Sequence, residues 1–401
     1  MTTTAKDSAS ADLRAATDAL VDLSHRIWDH PELAFEEERT SAWAAEALGD
    51  AGFTVTPGVC DLPTAFVAEA GSGPLTIGIC AELDALPGIG HACGHNIIAA
   101  AGVGAGIALL RVADELGITI RVLGTPAEEL GGGKILMLER GAFDGVHAAM
   151  MVHPSPVEGD SFPTLAIGQM DVHFHGRTAH ASVSPHLGVN AADAITVAQV
   201  ALGLLRQHLN RGDQLHGIVT DGGEAANIVP GRASARYFYR APDLARLAKL
   251  DPRVKRCFEA GALATGATME IEELGPPYSE FLHDGELATT YRRNAEALGR
   301  RFPAESRPPG GSTDMANVSL LMPTIHPTVG LDSHPAVNHQ PEFAAFCATP
   351  SADEAMAQAA LALAWTAIDA AAPGPLRDRL LAAPDTTYSG RDSYPWRFAE
   401  G

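Results

Sequence analysis

Positive charge is what this sequence has least of. Lysine stands only at positions 6, 134, 249 and 255, and 28 basic residues face 49 acidic ones, for a net charge of −21 with histidine neutral. A surface of that sign repels phosphate backbones and anionic lipid, so neither nucleic acid nor a membrane surface is expected as a partner. Cysteine is sparse too: the five, at 60, 80, 93, 257 and 347, are scattered and odd in number. No disulfide framework is expected from them. Long apolar runs are missing. The longest, IIAAAGVGAGIALL over 97–110, is too short and too rich in Gly and Ala to span a bilayer. The opening MTTTAKDSASADLRAA lacks the apolar core of a signal peptide. Together these absences predict a soluble cytoplasmic protein.

What is present is a globular composition, 46% hydrophobic and 19% charged, over 401 residues, which suggests about two domains. Leu13, Leu20, Leu23 and Ile27 recur at helical spacing up to His30-Pro31, and a second helix over roughly 36–50 closes at Gly52. Strands near 53–57, 64–69 and 75–81 follow, then a helix to about 115 that Asn96 could cap. The alternation continues through 118–124, a helix near 131–141 and a strand at 148–152. This order predicts a mostly parallel sheet with helices on both faces. From 165 the pattern reads β–α–β–β–α–β up to ATMEIEEL, the order of a ferredoxin-like domain inserted into the first. The expected boundaries are 1–166 with 277–401 for the larger domain and 167–276 for the inserted one.

The chemistry sits where three predicted strands end: LTIGICAELDALPGIGHACGH (75–95), ITIRVLGTPAEE (118–129) and AAMMVHP (148–154). In an open parallel sheet such ends line one crevice, which gathers Asp84, Cys93, His95, Glu128, Glu129 and His153. Cys93 and His95 offer a thiolate and an imidazole, good ligands for zinc or manganese; a buried free cysteine is the bland alternative. Adjacent glutamates are usually just solvated. At a strand end they can divide the labour, with Glu129 binding metal and Glu128 acting as general base toward a metal-acidified water. Asp84 reads as the carboxylate that orients His95, against a simple cap or turn role. His91 ranks behind the other ligands, as structural. A further ligand is expected from GLDSHPAVNHQPEF, where spacing does not choose between His334 and His339.

These segments, with HPELAFEE, TPAEELGGGK, HGRTAHAS, NIVPGRASARYFYRAP, GSTDMANVS and NHQPEF, resemble the amidohydrolase branch of the aminoacylase/carboxypeptidase metallopeptidases over nearly the whole chain. AELDALPGIGHACGHN looks most like its group of β-alanyl-lysine dipeptidases and aminobenzoyl-glutamate hydrolases. The resemblance implies two divalent ions about 3.5 Å apart, Zn²⁺ foremost with Mn²⁺, Co²⁺ or Ni²⁺ as alternatives. Cys93, His95, Glu129, His153 and a C-terminal histidine would hold them, and the short motif ending in Phe343 favours His339. It makes the inserted domain a lid and dimerisation domain of a homodimer. His180 would reach the scissile carbonyl of the partner subunit's substrate, while Asn227 and Arg240 would bind the substrate's carbonyl and carboxylate. Without the resemblance, these three would read as ordinary surface polarity. Glu82 stands where the wider family has a metal-binding histidine, Asn96 where many relatives have Asp. Asp314 lines the site in a role the sequence does not assign.

The implied activity is hydrolysis of the amide of an N-acyl amino acid or dipeptide-like substrate with a free carboxylate. An N-carbamoyl amino acid hydrolase or a biosynthetic deacetylase would use the same site. A catalytically idle relative acting as a binding or partner subunit is the alternative from another class, and the complete ligand set beside Glu128 argues against it.

Overall fold

A computed structural model describes residues 2–161, 163–303, 310–382 and 394–398. The chain divides into two compact units: Met1–Pro163, Phe281–Pro309 and Thr313–Arg391 in the first, Thr164–Glu280, Gly310–Ser312 and Asp392–Gly401 in the second. The expected division of 1–166 and 277–401 from 167–276 differs by a few residues at each junction. It differs more at the C-terminus, because residues 394–398, where Tyr394 stacks on the buried Trp396, fall in the second unit.

The first unit begins with α1 (Thr2–Asp29), which buries Ala9, Leu13, Leu20, Leu23 and Ile27 along one stripe. Next come α2 (Glu38–Ala51), closed by Gly52 at φ 115°, then β1 (Thr54–Pro57), β2 (Phe66–Gly71) and β3 (Leu75–Glu82). The central helix α3 (His95–Leu110) has both faces buried, as its unbroken apolar sequence requires. After the short α4 (Ala113–Leu116) follow β4 (Ile118–Thr125), α5 (Gly133–Glu139), β5 (Ala148–Met150) and β6 (His153–Ser155). Asn96 is not the cap of α3. Gly94, at φ 79°, takes that position, and the Asn96 amide, two residues further on, donates to Ser24 Oγ and the Cys347 carbonyl.

The second unit contains β7 (Ala166–His175), α6 (Ala191–Arg206), β8 (Gln214–Asp221), β9 (Arg232–Ala241), α7 (Leu244–Thr265) and β10 (Thr268–Glu273). Its sheet runs β10-β7-β9-β8 with every pairing antiparallel, the ferredoxin-like arrangement. Buried Leu247, Leu250, Val254 and Phe258 form the apolar stripe of α7, and Ala194, Ile195, Ala198 and Leu202 that of α6.

The chain then returns to the first unit with α8 (Gly285–Ala297), α9 (Met315–Ser319), β11 (Thr324–Ile325), β12 (Thr328–Gly330), α10 (Pro341–Phe346), α11 (Pro350–Ala371) and α12 (Pro375–Leu381). The main sheet has the order β1-β2-β4-β3-β5-β11. Its β4-β3-β5-β11 portion is parallel, while β1 and β2 join antiparallel. A two-stranded parallel pair, β12-β6, continues beside it. The carboxyl ends of β3 and β4 lie level, Glu82 opposite Thr125. Among the described residues, no single helix is long and apolar enough to cross a membrane.

Candidate metal centre

The donor atoms come from the segments that follow β3 and β4, from the first residue of β6 and from the loop before α10. Past β3, the chain turns through Gly94, and a Cβ there would lie 2.4 Å from Pro154 Cγ. Only glycine lets Cys93 and His95 leave the turn so close to the end of the neighbouring strand. Cys93 Sγ lies 3.3 Å from His153 Nε2 and 3.4 Å from His339 Nε2. Glu129 Oε2 is 3.6 Å from His339 Nε2, and Glu129 Oε1 is 3.8 Å from His95 Nε2. Ligand atoms of Cys93, His95 and His153, of Cys93, Glu129 and His339, of His95, Glu128 and Glu129, and of Glu82, Glu128 and Asp314 fall into four tight groups. His339 is half exposed, and the others are buried or nearly so. His334 is exposed and belongs to none of these groups, and His91, although buried, does not either.

The supports of these donors are visible. Asp84 Oδ1 lies 3.2 Å from His95 Nδ1 and accepts from Glu128 N–H, while Oδ2 accepts from Glu129 N–H. His153 Nδ1 is 2.8 Å from the Pro154 carbonyl, so its proton belongs there and Nε2 keeps its lone pair. Asn338 donates to the same carbonyl and ties the His339 loop to β6. The turn before Glu128 is unusual. Ala127 has φ 58°, a conformation that costs a non-glycine residue about 1 kcal/mol or more, and Glu37 Oε1 accepts its N–H. Glu37 and Asp84 therefore grip three consecutive backbone N–H groups, at 127, 128 and 129.

The electrostatics show what such a cluster lacks. Burial, then the charges of Glu82, Glu129 and Asp314, pushes the Glu128 carboxyl far above the carboxylate range. Burial raises Glu129 as well, and it drives the Cys93 thiol up, with Glu129, Glu128 and Glu82 adding to the effect. Burial brings His153 down to about 4. Glu82 behaves differently: burial opposes its ionisation, yet Lys134, His95 and His153 hold it below the usual range. Five acids, Glu82, Asp84, Glu128, Glu129 and Asp314, share this pocket with Lys134 as its one lysine. Like charges so placed can be ionised together only beside added positive charge. Three buried atoms, Glu82 Oε2, His95 Nε2 and Glu129 Oε1, make no hydrogen bond at all. Soft and borderline donors, excess negative charge and bare buried lone pairs all fit divalent cations.

Sequence reasoning placed Asp314 in this pocket without a role and missed Lys134. Lys134, fully buried at the start of α5, donates to Glu82 Oε1 and Asp314 Oδ1, each at 2.6 Å, and its backbone N–H donates to Asp314 Oδ2. A signal existed: one of only four lysines is followed directly by the apolar run ILML.

The remaining candidate residues belong to the second unit. His180 pairs through its backbone with Ile228, and Ala181 N–H donates to the Asn227 carbonyl, so His180 and Asn227 lie in adjoining loops. Both are exposed. Arg240 lies near the far end of β9, partly buried, and donates to Ser312 Oγ.

A sequence profile of Peptidase family M20/M25/M40 matches residues 79–363. The Xaa-Arg dipeptidase of Mus musculus is 38% identical over 385 residues, covering 91% of this chain and 88% of that protein. One of the subunits of the p-aminobenzoyl-glutamate hydrolase of Escherichia coli (strain K12) is 37% identical over 285 residues, 66% of this chain and 58% of that one. Two crystal structures share the fold. The aminobenzoyl-glutamate utilization protein from Klebsiella pneumoniae aligns with a TM-score of 0.74 at 20% identity, over 90% of this chain and 98% of its own. A Bacillus subtilis protein described as a dinuclear metal binding peptidase aligns with a TM-score of 0.60 at 22% identity, over 87% and 98%. The chain belongs to this peptidase family and is a hydrolase.

Proposed function

We propose that this protein is a cytoplasmic, metal-dependent amidohydrolase that cleaves a dipeptide or N-acyl amino acid carrying a free carboxylate. The observation that carries the reading is the convergence of Cys93, His95, Glu129, His153 and His339 around bare buried lone pairs, with a second glutamate alongside. These five residues would hold two divalent ions, and the thiolate and imidazole donors favour Zn²⁺ over Mn²⁺, Co²⁺ or Ni²⁺. When bound, such ions polarise an amide carbonyl and acidify water.

Glu128 has the position of the general base. Its backbone is pinned by Asp84, so its carboxylate stands beside the ligands while Glu129 turns to His339. Asp84 fixes the ring of His95 through Nδ1 and aims Nε2 at the ions. Arg240 suits the substrate carboxylate, which a guanidinium can grip with two hydrogen bonds. The two Xaa-Arg dipeptidases among the relatives make dipeptides ending in a basic residue the first substrates to try.

The protein acts as a homodimer through its second unit in this reading. Strand β8 lies at a sheet edge and carries exposed Ile218 and Val219, and α6 exposes Val200 and Leu204. An unguarded apolar edge is a pairing surface. The spread of His180, Asn227 and Arg240 supports this too. From Arg232, beside the His180 loops, to Arg240 is eight residues of strand, about 26 Å. One small substrate cannot touch both ends. The two groups then serve different substrate molecules, and His180 and Asn227 are the ones proposed to reach the partner subunit's.

The test is a panel of dipeptides and N-acyl amino acids assayed after chelation and reloading with each metal. Turnover that vanishes on chelation and returns with a divalent ion is expected. Turnover indifferent to chelation, or none on any carboxylate-bearing amide, overturns the reading.

A further inference from the structure

We propose that Glu82 is itself a metal ligand, joining the shell of the ion that His95 would hold; the inference rests on the metal reading above. Glu82 is the last residue of β3 and is fully buried. Its two oxygens have different surroundings. Oε1 accepts from Lys134 Nζ at 2.6 Å, whereas Oε2 makes no hydrogen bond and stands 3.3 Å from His95 Nε2. His95 Nδ1 faces Asp84, and Nε2 makes no well-formed hydrogen bond. Burial opposes a charge on His95, but Glu82 and Asp84 hold it well above the usual imidazole range, so in the ion-free protein Nε2 and Oε2 are left as a poorly aligned ion pair in the dry interior. Glu129 Oε1, bare as well, lies 3.8 Å from the same nitrogen.

A shared cation resolves this arrangement. With bonds of about 2.0–2.1 Å, two ligand atoms of one tetrahedral ion sit about 3.3 Å apart, which is the separation of Glu82 Oε2 from His95 Nε2. The competing reading makes Glu82 only the counter-ion of Lys134. Lys134 needs one oxygen for that and takes Asp314 as its second partner, which leaves Oε2 buried with only the poorly aligned His95 contact. In the proposed arrangement Lys134 clamps Oε1 and fixes the angle at which Oε2 meets the ion. The carboxylate is a pre-oriented ligand, not a mobile one.

Two measurements decide. Metal-stripped wild-type protein and Glu82→Gln are titrated with Zn²⁺ against a competing chelator. The wild type is expected to take up two ions. Glu82→Gln should bind one with unchanged affinity and the second roughly tenfold or more weakly. Two ions at wild-type affinity in the variant would make Glu82 a counter-ion alone, whereas no tight ion in the wild type would instead defeat the metal reading. Should the variant not fold, anomalous diffraction at the zinc edge from zinc-loaded wild-type crystals answers the same question. An ion about 2.0–2.2 Å from Glu82 Oε2 is expected, and one beyond about 3 Å overturns the assignment.

Discussion

The two units treat their candidate functional residues in opposite ways. In the first, donors that run in sequence from Glu82 to His339 meet within a few ångströms, buried, with carboxylates gripping the backbone beneath them. In the second, His180 and Asn227 are exposed on loops at one end of β9, and Arg240 lies near the other. The first cluster is over-supplied with negative charge and needs only cations to become self-consistent. The second is spread too widely to grip one small molecule. In the proposed reading the first unit holds the chemistry by rigidity and burial, and the second holds recognition on groups that gain meaning on assembly.

The sharpest way to break this contrast is to remove the base. Glu128→Gln keeps the shape and the Asp84 contact to its backbone but loses proton acceptance. Turnover should fall by roughly a hundredfold or more while bound metal, measured by plasma emission, stays at the wild-type level. Glu129→Gln should instead lower metal content. Full activity in Glu128→Gln would end the division of labour between the adjacent glutamates.

Next in size is the choice between two histidines of one loop. His339 faces Cys93 and Glu129, and His334 faces none of the donors. His339→Ala should weaken ion binding by roughly a hundredfold, with activity partly recovered in excess metal; outer-sphere partners alone cost 10–100-fold. His334→Ala should stay within about twofold of wild type. A reversed order in a metal-dependence curve would mean that the loop is held differently in the loaded enzyme.

The second unit predicts effects that depend on the partner. Arg240→Ala should raise KM about tenfold or more for carboxylate-bearing substrates, the scale of one lost charged hydrogen-bond pair, and leave kcat nearly unchanged. His180→Ala should mainly lower kcat. Mixing inactive His180→Ala with inactive Glu128→Ala protein gives the test of assembly. If His180 acts across the dimer, the mixed dimer has one site with an intact base and an intact histidine, and activity returns. No recovery after proven subunit exchange would confine His180 to its own subunit and sink the argument from strand length.

What could be read in advance follows the same divide between local and distant causes. The parallel β–α–β order and the ferredoxin-like insert were legible because apolar periodicity and turn residues are local signals. The donor cluster was legible because strand ends in such a sheet share one crevice. Lys134 with Asp314 was not, since 180 residues separate the pair and only folding joins them. Asn96 misled for a related reason. An asparagine near a helix start reads as a cap, but Ser24 and the Cys347 carbonyl, both remote in sequence, claim its amide. Nor could the sequence place His180 and Arg240 at opposite ends of β9 until the strand had a length and neighbours.

The smallest expected effect concerns the anchor beneath the paired glutamates, and it sharpens how the first unit stores charge. Glu37 accepts from the N–H groups of Phe35 and Ala127, and burial, followed by the nearby Asp84 charge, pushes its carboxyl up to about 7. In the unfolded chain the same group ionises near 4.5. Between those two values the folded state keeps a proton that the unfolded state has released, so raising the pH favours unfolding. Stability should therefore decline from pH 4.5 to 7 on account of this group, by about 1–3 kcal/mol. Glu37→Gln mimics the protonated form and retains an oxygen for the Ala127 N–H. Relative to wild type, it should gain stability as the pH rises from 5 to 8, with turnover within a fewfold of normal. Urea unfolding of both proteins at the two pH values isolates this difference, because every other titrating group is common to them. A constant difference across the range would mean that Glu37 is ionised in the folded protein throughout, and that the Ala127 turn rests on a charged carboxylate.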